Sequence, residues 1–363
     1  MSASTQAGLR PDGTAESGSA AGSAARALAA GRAARRRSRS VRAGALALAA
    51  VILFAVSVLL GSYTVTVPDF FSILGGAQIP GASYIVLENK LPRALMAVLV
   101  GIGFGMAGTI FQTLLRNPLA SPDVIGISYG ASASAVTAIV LFGASGAAVS
   151  FAAVAGGLGV AAAIYLTARR GGLGGYRLIL VGIAFAAVLH ALVNFLLTRA
   201  DLRTAAEALV WLTGSLNSST WDRAALLGGA LVLLVPAALV LSRLLQLLEL
   251  GDDAAAGLGV RVEVSRAALI LTGACLAAVS TAAAGPVAAV AFLCGPIARR
   301  LVGGPPSLAL AGLVGAVLVL AADFAAANLI PGTSLPVGVL TGALGAPVLL
   351  WLLISVNRSG QGG

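Results

Sequence analysis

Residues 90–126 read KLPRALMAVLVGIGFGMAGTIFQTLLRNPLASPDVIG. Lys90 and Arg93 precede a run of about twenty apolar or small residues, and Arg116-Asn117-Pro118 ends it. At about 1.5 Å per residue, a helix of this length crosses the roughly 30 Å hydrocarbon core of a bilayer. Pro118 and Pro122 each lack an amide donor and disfavour helix at the residue before them, so the chain must turn at the membrane surface. Ser121 or Asp123 then stands where a cap for the next helix is needed. Gly126 and Gly130 leave room for that helix to pack closely.

The rest of the chain supports a membrane reading. Hydrophobic residues make up 58% of the 363 and charged residues only 10%, with mean hydropathy +0.98. Soluble domains carry about 25% charge, so this chain cannot cover itself with a water-compatible surface. Long Ala, Leu, Val and Gly runs without period-two alternation favour helices over a β-barrel. The fold class is therefore all-α and polytopic.

The net charge of +10 is unevenly placed, with eight of the 22 arginines before residue 43. Residues 1–42 are otherwise rich in Ala, Gly and Ser, a composition that buries too little apolar surface to fold alone. They are expected to form a disordered, Arg-rich cytoplasmic tail that touches anionic lipid. Nucleic acid is not an expected partner, because no aromatic residues interleave with the arginines. An organellar transit peptide shares this composition, and the plain cytosolic tail is preferred to it. Cys275 and Cys294 lie inside apolar runs and suggest neither a metal site nor a disulfide.

Ten spans are expected, near 43–62, 92–115, 126–143, 147–168, 178–198, 224–247, 266–284, 286–302, 307–329 and 336–356. This makes 43–356 the membrane domain and 357–363 a short cytoplasmic C-terminus. The eighth span is short and interrupted by Gly295-Pro296. With both termini inside, 18 of the 23 basic residues fall on the cytoplasmic side, as the positive-inside rule requires. Lys90, Arg93, Arg199, Arg203 and Arg223 fall outside. The outer segment 63–91 has room for short structure of its own. The inner segment 248–265, LELGDDAAAGLGVRVEVS, carries both signs of charge. Asp252 and Asp253 can cap a short helix that ends near Gly257 or Gly259. That segment is either a docking knob for a cytosolic partner or an ordinary solvated loop.

Several chemistries are excluded or weakened. Gly103-Phe-Gly105-Met-Ala-Gly108 matches a dinucleotide-binding pattern but lies inside a span, so Gly101, Gly105 and Gly108 read as a helix-packing seam. A Walker A motif needs a lysine after its glycines, and the one lysine, Lys90, follows none. Any ATP must then be handled by another subunit. No cofactor, metal or catalytic constellation is expected, which weakens an intramembrane enzyme. His190, with Asn194 one turn on, reads as a packing and hydrogen-bonding residue or as part of a path. Asp323, an acid well inside a span, must face protein or water, and either an interhelical or a substrate role fits. Ion-coupled carriers generally use more intramembrane ionisable groups than these two.

Taken together, the chain resembles the FecCD permeases, the membrane subunits of ABC importers for iron-siderophores, haem and cobalamin. The match rests on Lys90-Leu91-Pro92-Arg93, the glycine-rich second span and RNPLASPDVIG at 116–126. It continues through LGDDAAAGLGV at 250–260, AGPVAAVAFLCGPIARRLVG at 284–303 and LPVGVLTGALGAPVLLWLL at 335–353. The resemblance implies a ten-helix, BtuC-like type II importer fold in the cytoplasmic membrane. It also implies a second permease subunit (the same chain or a paralogue), two ATPase subunits and an extracytoplasmic substrate-binding protein. By the same resemblance Lys90 and Arg93 dock the binding protein. The ATPase-coupling segment is Gly251, Asp252, Asp253, Ala254, Gly257, Leu258 and Gly259, and the cytoplasmic turn is Arg116, Asn117, Pro118, Ser121, Pro122 and Asp123. Gly295-Pro296-Ile297 departs from the Pro-His pair of many members. The third docking base that some members carry before the last span has no counterpart in NLIPGTSLP, which leaves outer arginines such as Arg203 to assist. The SPDVIG wording resembles siderophore permeases and suggests a heterodimeric partner. The expected cargo is a ferric siderophore, with haem or cobalamin as the alternative and an ion-coupled secondary transporter as the reading outside the family.

Overall fold

The computed structural model describes residues 13–61, 63–169, 175–302, 307–330 and 333–360. Arg170, residues 1–12 and 361–363, and Pro331-Gly332 within NLIPGTSLP lie outside the described residues. The chain divides into two units, residues 1–45 and 46–363. In the first unit the described residues are helical from Gly13 onward. Ala and Arg are among the best helix formers, so local propensity suffices there without a hydrophobic core.

The helices in chain order are α1 (Gly13–Leu59), α2 (Val67–Leu74), α3 (Ala82–Tyr84), α4 (Leu91–Leu114), α5 (Ile127–Phe142), α6 (Ala147–Ala168) and α7 (Gly175–Arg199). They continue with α8 (Leu202–Leu212), α9 (Trp221–Glu249), α10 (Asp252–Gly257), α11 (Val262–Ala284), α12 (Val290–Val302), α13 (Leu308–Asn328) and α14 (Val337–Gly360). A π-helical turn, Ile85–Lys90, joins α3 to α4. Each of the ten expected spans coincides with a helix. Among the described residues, seven helices are long and apolar enough to cross a membrane. The α5 helix and Val337–Val348 are shorter apolar helices, and α12 has 13 residues.

α4 is the pillar of the bundle, packed against α9, α11, α12 and α13. Helices in lipid gain little from hydrophobic burial against one another and associate through close packing, so small residues concentrate where backbones meet. A Cβ on Gly101 would lie 2.3 Å from Gly315 O of α13, and one on Gly105 would lie 2.4 Å from Ala311 O. Gly108 serves α12 in the same way, at 1.6 Å from Ala291 O. The packing seam expected at 101, 105 and 108 is therefore present, shared between two neighbours. A second layer holds α5 against α6, α7 and α11, with Ala131, Val136, Ala153, Val193, Leu196 and Ala208 in one apolar cluster.

The sequence reading misplaces two helix caps. α5 starts after Gly126, which adopts φ +92°, so neither Ser121 nor Asp123 caps it. α10 starts after Gly251 at φ +118°, which leaves Asp252 and Asp253 as its first two residues. In both places a positive φ turns the chain where only glycine does so without strain. A further element, α8, went unread. It is capped by Asp201, whose carboxylate accepts from the amides of Arg203 and Thr204, each at 3.0 Å.

Candidate functional site

The bundle carries distinctive chemistry at both ends and a cavity between them. At one end the π-turn delivers Lys90 to the terminus of α1, where its Nζ donates to Leu60 O at 2.8 Å and Tyr63 O at 2.6 Å. One turn later, Arg93 makes a bidentate pair with Asp323 of α13. Nε donates to Oδ2 at 2.8 Å and Nη2 to Oδ1 at 2.9 Å. Their side chains are 18% and 7% exposed. A small polar pocket of about 80 Å³ opens beside them, lined by Ser57, Asn89, Lys90, Arg93, Asp323 and Asn328. The two bases expected to act together are thus adjacent, and each is also engaged within the chain. Of the two roles open to Asp323, the geometry shows the interhelical one.

At the opposite end, the turn after α4 and the segment around α10 come together. Arg116, at φ +50°, donates from Nη2 to Leu248 O at 3.0 Å and lies 3.7 Å from Asp252 Oδ1. Arg266 holds the same Asp252 through both carboxylate oxygens, at 2.8 and 3.0 Å. Asn117 Oδ1 accepts from the Leu119 amide at 2.9 Å, and Ser121 Oγ from the Val124 amide at 3.3 Å, which builds the Pro118–Pro122 turn. Asp123 accepts a short hydrogen bond from Ser128. Its burial pushes the carboxyl above the ordinary carboxylate range, and the Ser128 bond offsets this in part. α10 is pinned by the buried Ala255 and leaves Asp253, Ala254, Gly257, Leu258 and Gly259 exposed. Leu258 is 63% exposed, an apolar residue presented beside an acid on a short projecting helix.

The cavity, of about 530 Å³, lies among α5, α7, α8, α14 and the segment leading into α12. Tyr129, Ser132, His190, Asn194, Thr213 and Pro286 are among its lining residues, and Asp123 stands in its wall. His190 and Tyr129 meet edge to face, with ring centroids 5.8 Å apart. The helical repeat had placed His190 and Asn194 on one face, and both face this space. Tyr129, Ser132 and Thr213 were not anticipated, because a small polar residue in an apolar span is legible as cavity lining only once its neighbours are known. The lining can offer hydrogen bonds and aromatic contact to a bulky polar solute. Among the described residues no group of three or more His, Cys, Asp or Glu could hold a metal ion.

These features define a polytopic, all-helical membrane protein with a polar pocket at one end, an exposed short helix at the other and a solute-sized cavity. The chain belongs to the FecCD transport family, whose model matches residues 48–355. It is 41% identical over 299 residues to the ferric enterobactin transport system permease protein FepG of Escherichia coli (strain K12), covering 82% of this chain and 91% of that one. It is 38% identical to the achromobactin transport system permease protein CbrC of Dickeya dadantii (strain 3937), covering 88% and 93%. It is 36% identical to the Fe(3+)-citrate import system permease protein YfmE of Bacillus subtilis (strain 168), covering 85% and 93%. In three dimensions it is similar to a metal-chelate type ABC transporter solved in an inward-facing conformation. That match has a TM-score of 0.77 at 29% identity and covers 86% of this chain and 98% of the other.

Proposed function

We propose that this chain is a membrane-spanning subunit of an ABC importer that carries a ferric siderophore across the cytoplasmic membrane, with both termini cytoplasmic. The single observation that carries this reading is similarity, over 82%, 88% and 85% of this chain, to three permeases whose names specify ferric or siderophore cargo. The geometry supports a division of labour. Lys90 and Arg93 at the outer end meet acidic residues of an extracytoplasmic binding protein. The exposed face of α10 meets an ATPase subunit, and a second permease subunit completes the pathway. The Tyr129–His190 cavity is this chain's part of that pathway. Its hydrogen-bonding and aromatic lining suits an oxygen-rich chelate, and a transport subunit needs no chemistry of its own.

Nucleotide-driven motion of the ATPase would press on α10, whose root is tied by Asp252 to Arg116 and Arg266. Those arginines belong to the turn after α4 and to α11, so the push reaches the bundle as an alternation between two packed arrangements. The test is uptake into proteoliposomes holding this chain, its partner permease, the ATPase and the binding protein. Radioiron-labelled ferric enterobactin, ferric citrate and haem are supplied in parallel with labelled cobalamin. ATP-dependent uptake of an iron–siderophore is expected. Uptake of haem or cobalamin alone would overturn the cargo, and uptake driven by an ion gradient without the ATPase would overturn the class.

A further inference from the structure

Pro296 lies inside α12. Its nitrogen carries no hydrogen, so the carbonyl four residues earlier, that of Phe292, loses its helical donor. Gln112 of α4 takes that place, with Nε2 donating to Phe292 O at 2.8 Å. The site is enclosed, since Gln112 is buried and a Cβ on Gly295 would lie 1.9 Å from Gln112 Oε1. That Oε1 is buried and without a hydrogen-bond partner, so the amide is held through its donor side. The Gly295-Pro296 pair thus acquires a joint meaning. Proline opens an acceptor in the helix, and glycine makes the space through which a neighbouring helix fills it.

The position of this break in the fold matters. Just beyond it, Arg299 donates from Nη2 to Thr113 Oγ1 at 2.7 Å and reaches Glu249 Oε1 at 3.4 Å. Glu249 ends α9, two residues before the Gly251 that starts α10. On the other side of the break, Pro286 and Ala288 lead into α12 and line the cavity. α12 therefore connects the root of the exposed helix to the cavity wall and is interrupted between the two. A helix missing a rung of its ladder bends there at low cost.

We infer that Gln112 is the pivot of a two-piece lever. The half of α12 beyond Pro296 is linked by Arg299 to Glu249 at the root of the α10 loop and to Thr113 at the end of α4, so motion at either is felt there. The half around Phe292, hinged on α4 at Gln112, turns about that bond and carries the motion to the cavity wall at Ala288 and Pro286. Gln112 is a positioning residue in this scheme, acting through the α12 backbone.

The proposal rests on the coupling role given to α10, and its test can fail separately from that role. The assembled importer, with partner permease, ATPase and binding protein in nanodiscs, is assayed for ATP hydrolysis with and without binding protein and for thermal stability. Gln112→Leu bares the Phe292 carbonyl and is expected to lower both stability and the stimulated-to-basal ratio. Pro296→Ala restores an amide at 296 that serves the same carbonyl, so Q112L/P296A is expected to regain the stability lost in Q112L. P296A by itself stiffens the lever. It is expected to stay as stable as the natural protein while the ratio falls about fivefold or more, the lower end of an ordinary coupling free energy. A natural ratio in P296A would overturn the pivot, as would a double variant no more stable than Q112L. Should Asp253→Lys with Leu258→Asp also leave the ATPase bound, the coupling role of α10 would fall instead.

Discussion

The Arg93–Asp323 pair permits the sharpest quantitative test of how α4 and α13 are held together. Two charge-assisted bonds at 2.8 and 2.9 Å join side chains that are 18% and 7% exposed. Asp323→Ala leaves the guanidinium largely desolvated without its counter-ion, and Arg93→Ala leaves the carboxylate so. Breaking one side of a buried pair costs about 3–5 kcal/mol, mainly because the remaining charge is uncompensated. Replacing both with apolar residues of similar volume, as in R93M/D323L, is expected to be neutral or to stabilise by about 1–4 kcal/mol. A double-mutant cycle over R93M, D323L and the double variant, with each single costing about 3–5 kcal/mol and the double near zero, should thus show a coupling of about 6 kcal/mol or more, well above the roughly 0.5 kcal/mol within which independent sites add. The measurement is reversible unfolding of the purified permease in bicelles, followed by tryptophan fluorescence. Single variants within about 1 kcal/mol of the natural protein, or additive effects, would refute the claim that this pair is buried and strong. The same double variant separates fold from docking. It keeps the helix packing and removes the Arg93 cation, so affinity for the binding protein should fall, most at low ionic strength. Unchanged affinity would leave the interhelical lock standing and remove Arg93 from the docking surface.

Three further outcomes follow from other parts of the bundle. Gly315→Ala places a methyl 1.9 Å from Gly101 O, where backbone rather than a pliable side chain must yield. It should destabilise by about 1–3 kcal/mol or more, as overpacking does, whereas Gly159→Ala, with open space around it, should be near neutral by the same unfolding measurement. Asp201 caps α8 and its carboxyl lies below its ordinary value of 3.8, chiefly because the Thr204 amide and hydroxyl bond to it. The cap's stabilisation is therefore present above 3.8 and lost as pH falls through the lowered folded value, so faster amide exchange in α8 should appear below about pH 4 and at all pH values in Asp201→Ala. Asp123 has the opposite sign, since burial raises its folded value. Protonation favours the fold, so Asp123→Asn, which still accepts from Ser128, should melt higher at neutral pH and lose the gain the natural protein shows on acidification.

Much of the site was legible before any tertiary contact, and the reasons differ by region. The α10 helix could be read locally, because Gly251-Asp252-Asp253 and Gly257-Leu258-Gly259 are chain-reversal and helix-start signals that act within a few residues. Its surface could be read only in part. Asp252, its side chain 49% exposed, is already paired with Arg116 and Arg266, and Asp253 and Leu258 remain for a partner. The two helix caps were misread because a polar side chain near a helix start looks like a cap whether or not a glycine beside it makes the turn. α8 was missed because it is short and packs on α5 and α7 with only the small Ala208 buried, a contact its own sequence does not announce.

What the sequence determined by itself is the set of membrane spans, their glycine seam and the family. Bilayer thickness, apolar run length and backbone self-satisfaction act along the chain and leave little freedom. What only the tertiary structure decided is which polar residues in those spans meet. Arg93 lies 230 positions from Asp323, and Gln112 lies 180 from Phe292. In a low-dielectric interior each such group must find a partner, yet nothing in the local sequence states which one, because the choice is made by the crossing of helices far apart in the chain.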